Sequence, residues 1–194
     1  IQHAAHGHID INDYDIDGYV ISPYKVFSRH GYGIAWISDR LAKLPHDMLA
    51  ENPTDSWELG TRDTASYATF SDVVEYFDWL GSQFTSSTDR RARIEAAGEA
   101  IKEHEKRLIN SMIFGFGNIK GLSEMDGIHI IGGNENSMRE GMVSINVSNF
   151  ESDSIVSKLS KKGIRVHTRK ADHYSKNILE PLGCLLYTSD AADE

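Results

Sequence analysis

The chain has 194 residues, 40% of them hydrophobic and 25% charged, and a mean hydropathy of −0.41. That is the composition of a globular chain of one generous domain or two small ones, and it excludes collagen, coiled coil and extended disorder. With 20 basic against 29 acidic residues the net charge is −9, so the general attraction to phosphate backbones that nucleic-acid binders exploit is missing. No run approaches the roughly eighteen apolar residues of a membrane span, and no signal-peptide pattern opens the sequence. A single cysteine excludes a disulfide framework and a cysteine-rich zinc site. A soluble, cytoplasmic protein without nucleic-acid or membrane partners is expected.

In chain order, an Asp-rich turn leads into a short strand at Gly18–Ile21, directly followed by Ser22 and Lys25. Residues 33–37 form a second strand introduced by Gly31 and Gly33, and Asp39 to Leu44 fit one helical turn before Pro45. Residues 46–63 lack periodicity and read as an irregular loop. A helix starts at Thr64 or Ser66 as N-cap, carries Phe70, Val73, Val74, Phe77 and Leu80 on one stripe, and stops at Gly81. After a polar hinge at 83–87, a longer helix runs from about Thr88 to Met112. Its stripe is Ile94, Ala97, Ile101, Leu108, Ile109 and Met112.

Beyond Gly115 the order is strand, strand, helix, strand. Residues 127–131 and 142–147 are the first two strands. Ser152 caps a short helix with Ile155, Val156 and Leu159, and Lys161 and Lys162 complement its negative end before Gly163 stops it. Residues 164–167 are the third strand. Interleaved strands and helices indicate an α/β or α+β class.

Both ends of the chain look artificial. Ile1-Gln2-His3 starts in mid-pattern without an initiator methionine. Residues 184–194 can be encoded by a string that resembles the transposase adapter of sequencing libraries, read through in frame. They are therefore set aside from fold and site reasoning, and with them go the only cysteine, Cys184, and the carboxylates Asp190, Asp193 and Glu194. An internal piece of a longer gene product is the expectation.

Lys25 is the first candidate for chemistry. An amine delivered by a strand end into a crevice can be desolvated and made nucleophilic, although a lysine in such a place is usually a solvated surface residue. Its neighbours change that weighting. Asp17, the strand, Ser22-Pro23-Tyr24-Lys25 and Gly31-Tyr32-Gly33 resemble the lysine motif of class V aminotransferases and cysteine desulfurases. These are fold-type I pyridoxal-phosphate enzymes, with the pattern Asp, strand, Ser-x-His-Lys, Gly-x-Gly. Gln2-His3 and His6-Gly7-His8-Ile9-Asp10 are similar to the family's upstream stretch, and Glu58-Leu59-Gly60-Thr61 to its Glu-x-Gly-Thr motif. The strand-helix-strand ending in Gly163-Ile164-Arg165-Val166 is similar to its C-terminal small domain. The resemblance covers residues 1–183.

The resemblance implies an α/β fold in which 1–87 are the C-terminal part of the large cofactor domain. It makes 88–114 a connecting helix and 115–183 a truncated small α+β domain. It implies pyridoxal 5'-phosphate as cofactor, held by Lys25 as a Schiff base, with Lys25 also shuttling the substrate Cα proton. Ser22 would hold the phosphate, Gln2 the phenolic oxygen, and Tyr24 would take the place of the family's histidine beside the lysine. Thr61 would reach the phosphate of a partner subunit, which implies a homodimer. The implied activity is that of a transferase or lyase acting on an amino acid or amine.

Several departures qualify it. The desulfurase nucleophile would follow Val166, yet 167–174 hold no cysteine, so persulfide chemistry is not expected. The pyridinium aspartate would precede Gln2 by three residues, and the carboxylate-clamping arginine would follow Gly183, so the fragment alone is expected to be inactive. Arg165, Arg169, Lys170 and His173 are candidates for a substrate carboxylate, with solvated strand-end charges as the plainer reading. His3, His6, His8 and Asp10 have spacings that suit zinc or nickel, but the family pattern already accounts for them, so no metal is expected. Asp10, Asp13, Asp15 and Asp17 lack the glycine and terminal glutamate of a calcium loop. The competing class is a degenerate, non-catalytic homologue serving as a scaffold or interaction protein.

Overall fold

The computed structural model describes residues 6, 7, 9–61, 63–170, 172, 173, 175–181 and the backbone of 186–190. The chain divides into two compact units, residues 1–102 and 103–194.

In the first unit, β1 (Gly18–Ile21) pairs antiparallel with β2 (Ile34–Ile37), with Gly18 opposite Ile37 and Ile21 opposite Ile34. Strand alternation places Tyr19, Ile21, Ile34 and Trp36 on one face and Val20, Ala35 and Ile37 on the other. The first face lines an apolar cavity of about 390 Å³ together with Phe70, Val73, Val74 and Phe77 of α2 (Thr64–Gly81) and Ile94 of α3 (Arg90–Phe114). The expected stripe of α2 is therefore the one that faces inward.

Two details of α2 differ from expectation. Its N-cap is Asp63, whose carboxylate accepts from the Ser66 N–H at 3.2 Å and the Ser66 hydroxyl at 2.5 Å. Ser66 is instead buried inside the first turn. Gly81 is the last helical residue, as expected, but it is no left-handed cap beyond the end, and Ser82 follows as a right-handed C-cap. Glycine is needed there because a Cβ would fall 1.7 Å from the Arg93 carbonyl oxygen on α3.

A short helix α1 (Asp39–Ala42) follows β2, and Ser38 caps it by accepting from the Leu41 N–H at 3.1 Å. Asp17 binds both Ser38 and the Arg40 guanidinium, which fastens the turn before β1 to the turn after β2. Hydrogen bonds to Arg40 and Ser38 hold the Asp17 carboxyl below its usual range.

In the second unit the end of α3 carries Ile109 and the buried Ile113. With Ile130 and Val143 the latter forms a core against which Leu122, Ile128 and Ile145 pack. The expected stripe is corrected here. Leu108 and Met112 are exposed, because from Ile109 the inward position four residues on is Ile113. A hairpin of β3 (Gly115–Phe116) and β4 (Ile119–Lys120), absent from the sequence reading, turns the chain after the helix.

The sheet of this unit has the order β5-β6-β8-β7, formed by β5 (Ile128–Ile130), β6 (Ser144–Val147), β7 (Val166–Lys170) and β8 (Leu186–Asp190). Helix α4 (Ser152–Ser160) packs against β7 and β8. Its N-cap position is Glu151, not Ser152, which is buried in the first turn. A one-turn α5 (Lys176–Leu179) buries Leu179. Strand β8 falls in the segment that the sequence reading set aside. Its backbone fills the place between β6 and β7, so that part of the segment counts with the sheet.

The expected mixture of helix and strand is present. All strand pairs among the described residues are antiparallel, so the parallel sheet of an α/β lobe is not represented there. Between β1 and β2 the chain has one short 3-10 turn, too little for a parallel crossover.

Candidate active site

Ser22, Tyr24 and Lys25 come together because β1 runs straight into a 3-10 turn, Pro23–Val26. Pro23 sits where its missing N–H costs nothing and its fixed φ suits the turn. Pro23 and Val26 are buried and anchor the turn, leaving Lys25 half-buried and Tyr24 exposed. The turn closes at Phe27, a non-glycine residue at φ 72°, with the Phe27 and Ser28 N–H groups both donating to the Pro23 carbonyl. A bulky residue in the left-handed region is a backbone cost met by the surrounding contacts. Here Phe27 meets the rings of Tyr76 and Phe77 on α2.

Lys25 Nζ stands 5.5 Å from the centroid of the Tyr24 ring. On that same ring His30 is stacked, with centroids 4.2 Å apart and planes 18° from parallel. Among the described residues Lys25 makes no ion pair, and the Ser22 hydroxyl makes no capping hydrogen bond. An amine without an ion pair and a hydroxyl without a capping bond thus stand on one turn among the described residues.

The loop that follows is tied to α2 by a closed set of polar contacts. Ser28 Oγ lies 2.5 Å from the Tyr32 hydroxyl and 2.8 Å from Thr69 Oγ1. Thr69 donates to the Ser66 carbonyl at 2.6 Å, Ser66 binds Asp63, and Arg29 Nη1 reaches Asp63 at 3.6 Å. Hydrogen bonds from the Ser66 side chain and backbone, with the Arg29 charge, hold the Asp63 carboxyl below its usual range. Sequence reasoning gave no role to Ser28, Arg29, His30 or Tyr32. Their one visible signal is position, within eight residues of Lys25 and between it and Gly33.

Thr61 is exposed on the segment leading into α2 and shares no hydrogen bond with the Lys25 turn among the described residues. Gln2, His3 and His8 lie outside the described residues. Among those described, no group of three or more His, Cys, Asp or Glu side chains converges to hold a metal ion. Arg165, Arg169, Lys170 and His173 belong to the other unit, where Lys170 Nζ lies 4.0 Å from Asp153.

A family model described as Aminotransferase class-V matches residues 1–183. The chain belongs to that family. It is 25% identical over 192 residues to a Borreliella burgdorferi protein described as "Probable cysteine desulfurase", an alignment covering 89% of this chain and 40% of that protein. Two solved structures share the fold. The Escherichia coli cysteine desulfurase CsdA matches 98% of this chain and 44% of its own, with TM-score 0.64 and 18% identity. The cysteine desulfurase of Thermococcus onnurineus matches 97% and 45%, with TM-score 0.64 and 15% identity. The chain thus spans less than half the length of these relatives.

The residues of the turn fit a pyridoxal-phosphate group by their donor chemistry. Among the described residues Lys25 offers an amine with no carboxylate on it and Ser22 a hydroxyl that makes no capping bond, and Gly31, at φ 101°, leaves open space where a side chain would stand. No described helix is long and apolar enough to cross a membrane.

Proposed function

We propose that this class V family member is a pyridoxal-phosphate-dependent enzyme acting on an amino acid or amine, with Lys25 as the residue that carries the cofactor. The observation that supports it most is the turn after β1, which presents an uncommitted amine and an uncommitted hydroxyl inside a chain matched by the family over 1–183. When bound, pyridoxal phosphate supplies an electron sink for the charge that develops at the substrate Cα.

The chain's own residues do the rest. Lys25 Nζ would hold the cofactor through its aldehyde carbon, with release of water, and would take and return the proton at the substrate Cα. The Ser22 hydroxyl donates to the phosphate. Tyr24, on which His30 stacks, forms an aromatic wall beside the amine. Gln2 is assigned the phenolic oxygen and Thr61 the phosphate of a partner subunit, which makes the functional unit a homodimer.

The relatives' names weigh against setting persulfide chemistry aside, whereas residues 167–173 hold no thiol to perform it. The reading therefore stays at transferase or lyase. Reaction with pyridoxal phosphate, borohydride trapping and peptide mapping test it. The expected result is a label concentrated on Lys25 over the other lysines and lost in Lys25→Ala. A label spread evenly over the lysines would sink the proposal and favour the scaffold reading.

A further inference from the structure

Aspartate followed by glycine occurs twice in the chain, as Asp17-Gly18 and as Asp126-Gly127. In such a pair the glycine nitrogen can attack the aspartate Cγ, because the glycine has no Cβ to hinder the approach. Water leaves and a five-membered succinimide forms. A second water then opens the ring at either carbonyl, so the overall change is an isomerisation. Opening at the former main-chain carbonyl leaves isoaspartate. The main chain then runs through Cγ, one methylene longer, and the freed carboxylate becomes the side group.

The first pair is restrained. The Asp17 carboxylate accepts from Ser38 Oγ at 2.7 Å and from Arg40 Nε at 2.8 Å, and the Ser38 N–H donates to the Asp17 carbonyl at 2.8 Å. The same bonds hold the carboxyl below its usual range, and an ionised carboxylate loses water far less readily than the acid. Gly18 then enters β1 opposite Ile37. Attack on Cγ requires these contacts to open first.

The second pair lacks such restraints on its reacting atoms. Asp126 and Gly127 are exposed, in a turn that leads into β5. Two hydrogen bonds brace the turn, from the Ile128 N–H to the Met125 carbonyl at 3.3 Å and from the Ser148 N–H to the Gly127 carbonyl at 2.8 Å. Both engage carbonyls that take no part in ring closure. Among the described residues the Asp126 carboxyl makes no hydrogen bond or ion pair, and the Gly127 N–H has no acceptor. Gly127 stands at φ 79°, a conformation that keeps this position for glycine.

Placement gives the change a consequence. β5 is an edge strand, with Ile128 opposite Val147 and Ile130 opposite Ile145 of β6. Ile130 is 4% exposed and belongs to the core of this unit with Ile113 and Val143. An extra methylene just before Ile128 pushes the strand out of that register. We infer that Asp126-Gly127 is a self-isomerising site at the root of β5, whereas Ser38 and Arg40 protect Asp17-Gly18. The inference is independent of any reaction at Lys25.

Ageing the full chain at physiological pH and temperature tests it. Isoaspartate is counted by methyl transfer from S-adenosylmethionine with an isoaspartyl methyltransferase, and is located by peptide mapping. The yield at residue 126 is expected to exceed that at residue 17 by about tenfold, the factor for opening a charge-assisted hydrogen bond. Asp126→Glu abolishes the signal at 126, since glutamate would need a six-membered ring, and Arg40→Ala raises the yield at 17. In urea the two sites should react alike. No isoaspartate at 126, equal yields at the two sites in the folded chain, or a difference that persists in urea overturns the inference. In the aged fraction, amide exchange at Ile128–Ile130 should quicken relative to β7. Unchanged exchange in chains that carry isoaspartate at 126 overturns the predicted loss of register.

Discussion

The two units keep their shape by different means. Residues 103–194 enclose Ile113, Ile130 and Val143 beneath a four-stranded sheet. Residues 1–102 have a two-stranded ribbon, leave Val20 and Trp36 half exposed, and hold an apolar cavity where the other unit has packed side chains. A two-stranded ribbon alone is marginal in water, and packing onto helices sustains it. The candidate chemistry sits in this more lightly packed unit. Its Lys25 turn is fixed by two buried side chains and by hydroxyl, carboxylate and guanidinium contacts to α2, rather than by a deep core.

Removing core volume tests the well-packed half of that contrast first. Ile113 is 1% exposed, so Ile113→Ala is expected to cost about 4 kcal/mol, the range for deleting a buried aliphatic side chain. Amide exchange should show the loss in residues 103–181 while β1 and β2 keep their protection. Equal loss in both units would mean that they unfold as one.

In the lighter unit the largest loss comes from overpacking rather than from a cavity. Gly81→Ala drives a methyl group into the Arg93 carbonyl and should cost about 3 kcal/mol, read by thermal unfolding. A change near zero would show that α2 and α3 separate readily there, and that the close approach contributes little.

Periodicity made the skeleton legible. β1, β2 and the inward stripe of α2 follow directly from alternation and from 3–4 spacing, and Lys25 lies in the turn just past β1. Choices decided by tertiary contact were hidden. Asp63, Thr64 and Ser66 are all able caps, and which one serves depends on where the chain leaves extended backbone. Gly81 does end α2 as its sequence position suggests, but what requires glycine there is a backbone twelve residues away in the next helix. Ser28 and Thr69 are 41 residues apart and carry no pattern that pairs them. The His46 ring bridges the Leu44 and Ser56 carbonyl groups, which every residue possesses, so no residue type announces that contact.

That hydroxyl pair offers a smaller perturbation. Ser28→Ala removes the part-buried bonds to Thr69 and Tyr32, and Thr69→Val those to Ser28 and the Ser66 carbonyl, each bond worth about 1 kcal/mol. The double variant should cost less than the sum of the two, because both changes delete the same contact. Exchange at residues 23–28 should rise in each single variant, and Ser28→Thr should restore it. Full additivity would show that the pair does not tie the turn to α2.

The finest distinction between the units is their response to acid. Asp17 is held below its ordinary value of 3.8 by hydrogen bonds from Arg40 and Ser38, and Asp63 by those from Ser66 and by the Arg29 charge. A carboxyl whose folded pKa is depressed stabilises the fold fully above its unfolded value, and that contribution is lost as pH falls through the folded one. Both carboxylates lie in the first unit, so below an ordinary carboxylate value of 3.8 it should lose amide protection before the core around Ile113 does. Asp63→Asn separates charge from capping, since asparagine caps as well as aspartate but does not titrate. It should lower the unfolding midpoint at neutral pH by the charge-assisted part that the parent chain loses in acid, and flatten the acid slope. If the slope stays as steep, the acid sensitivity of the first unit arises from groups other than the cap beneath the Lys25 loop.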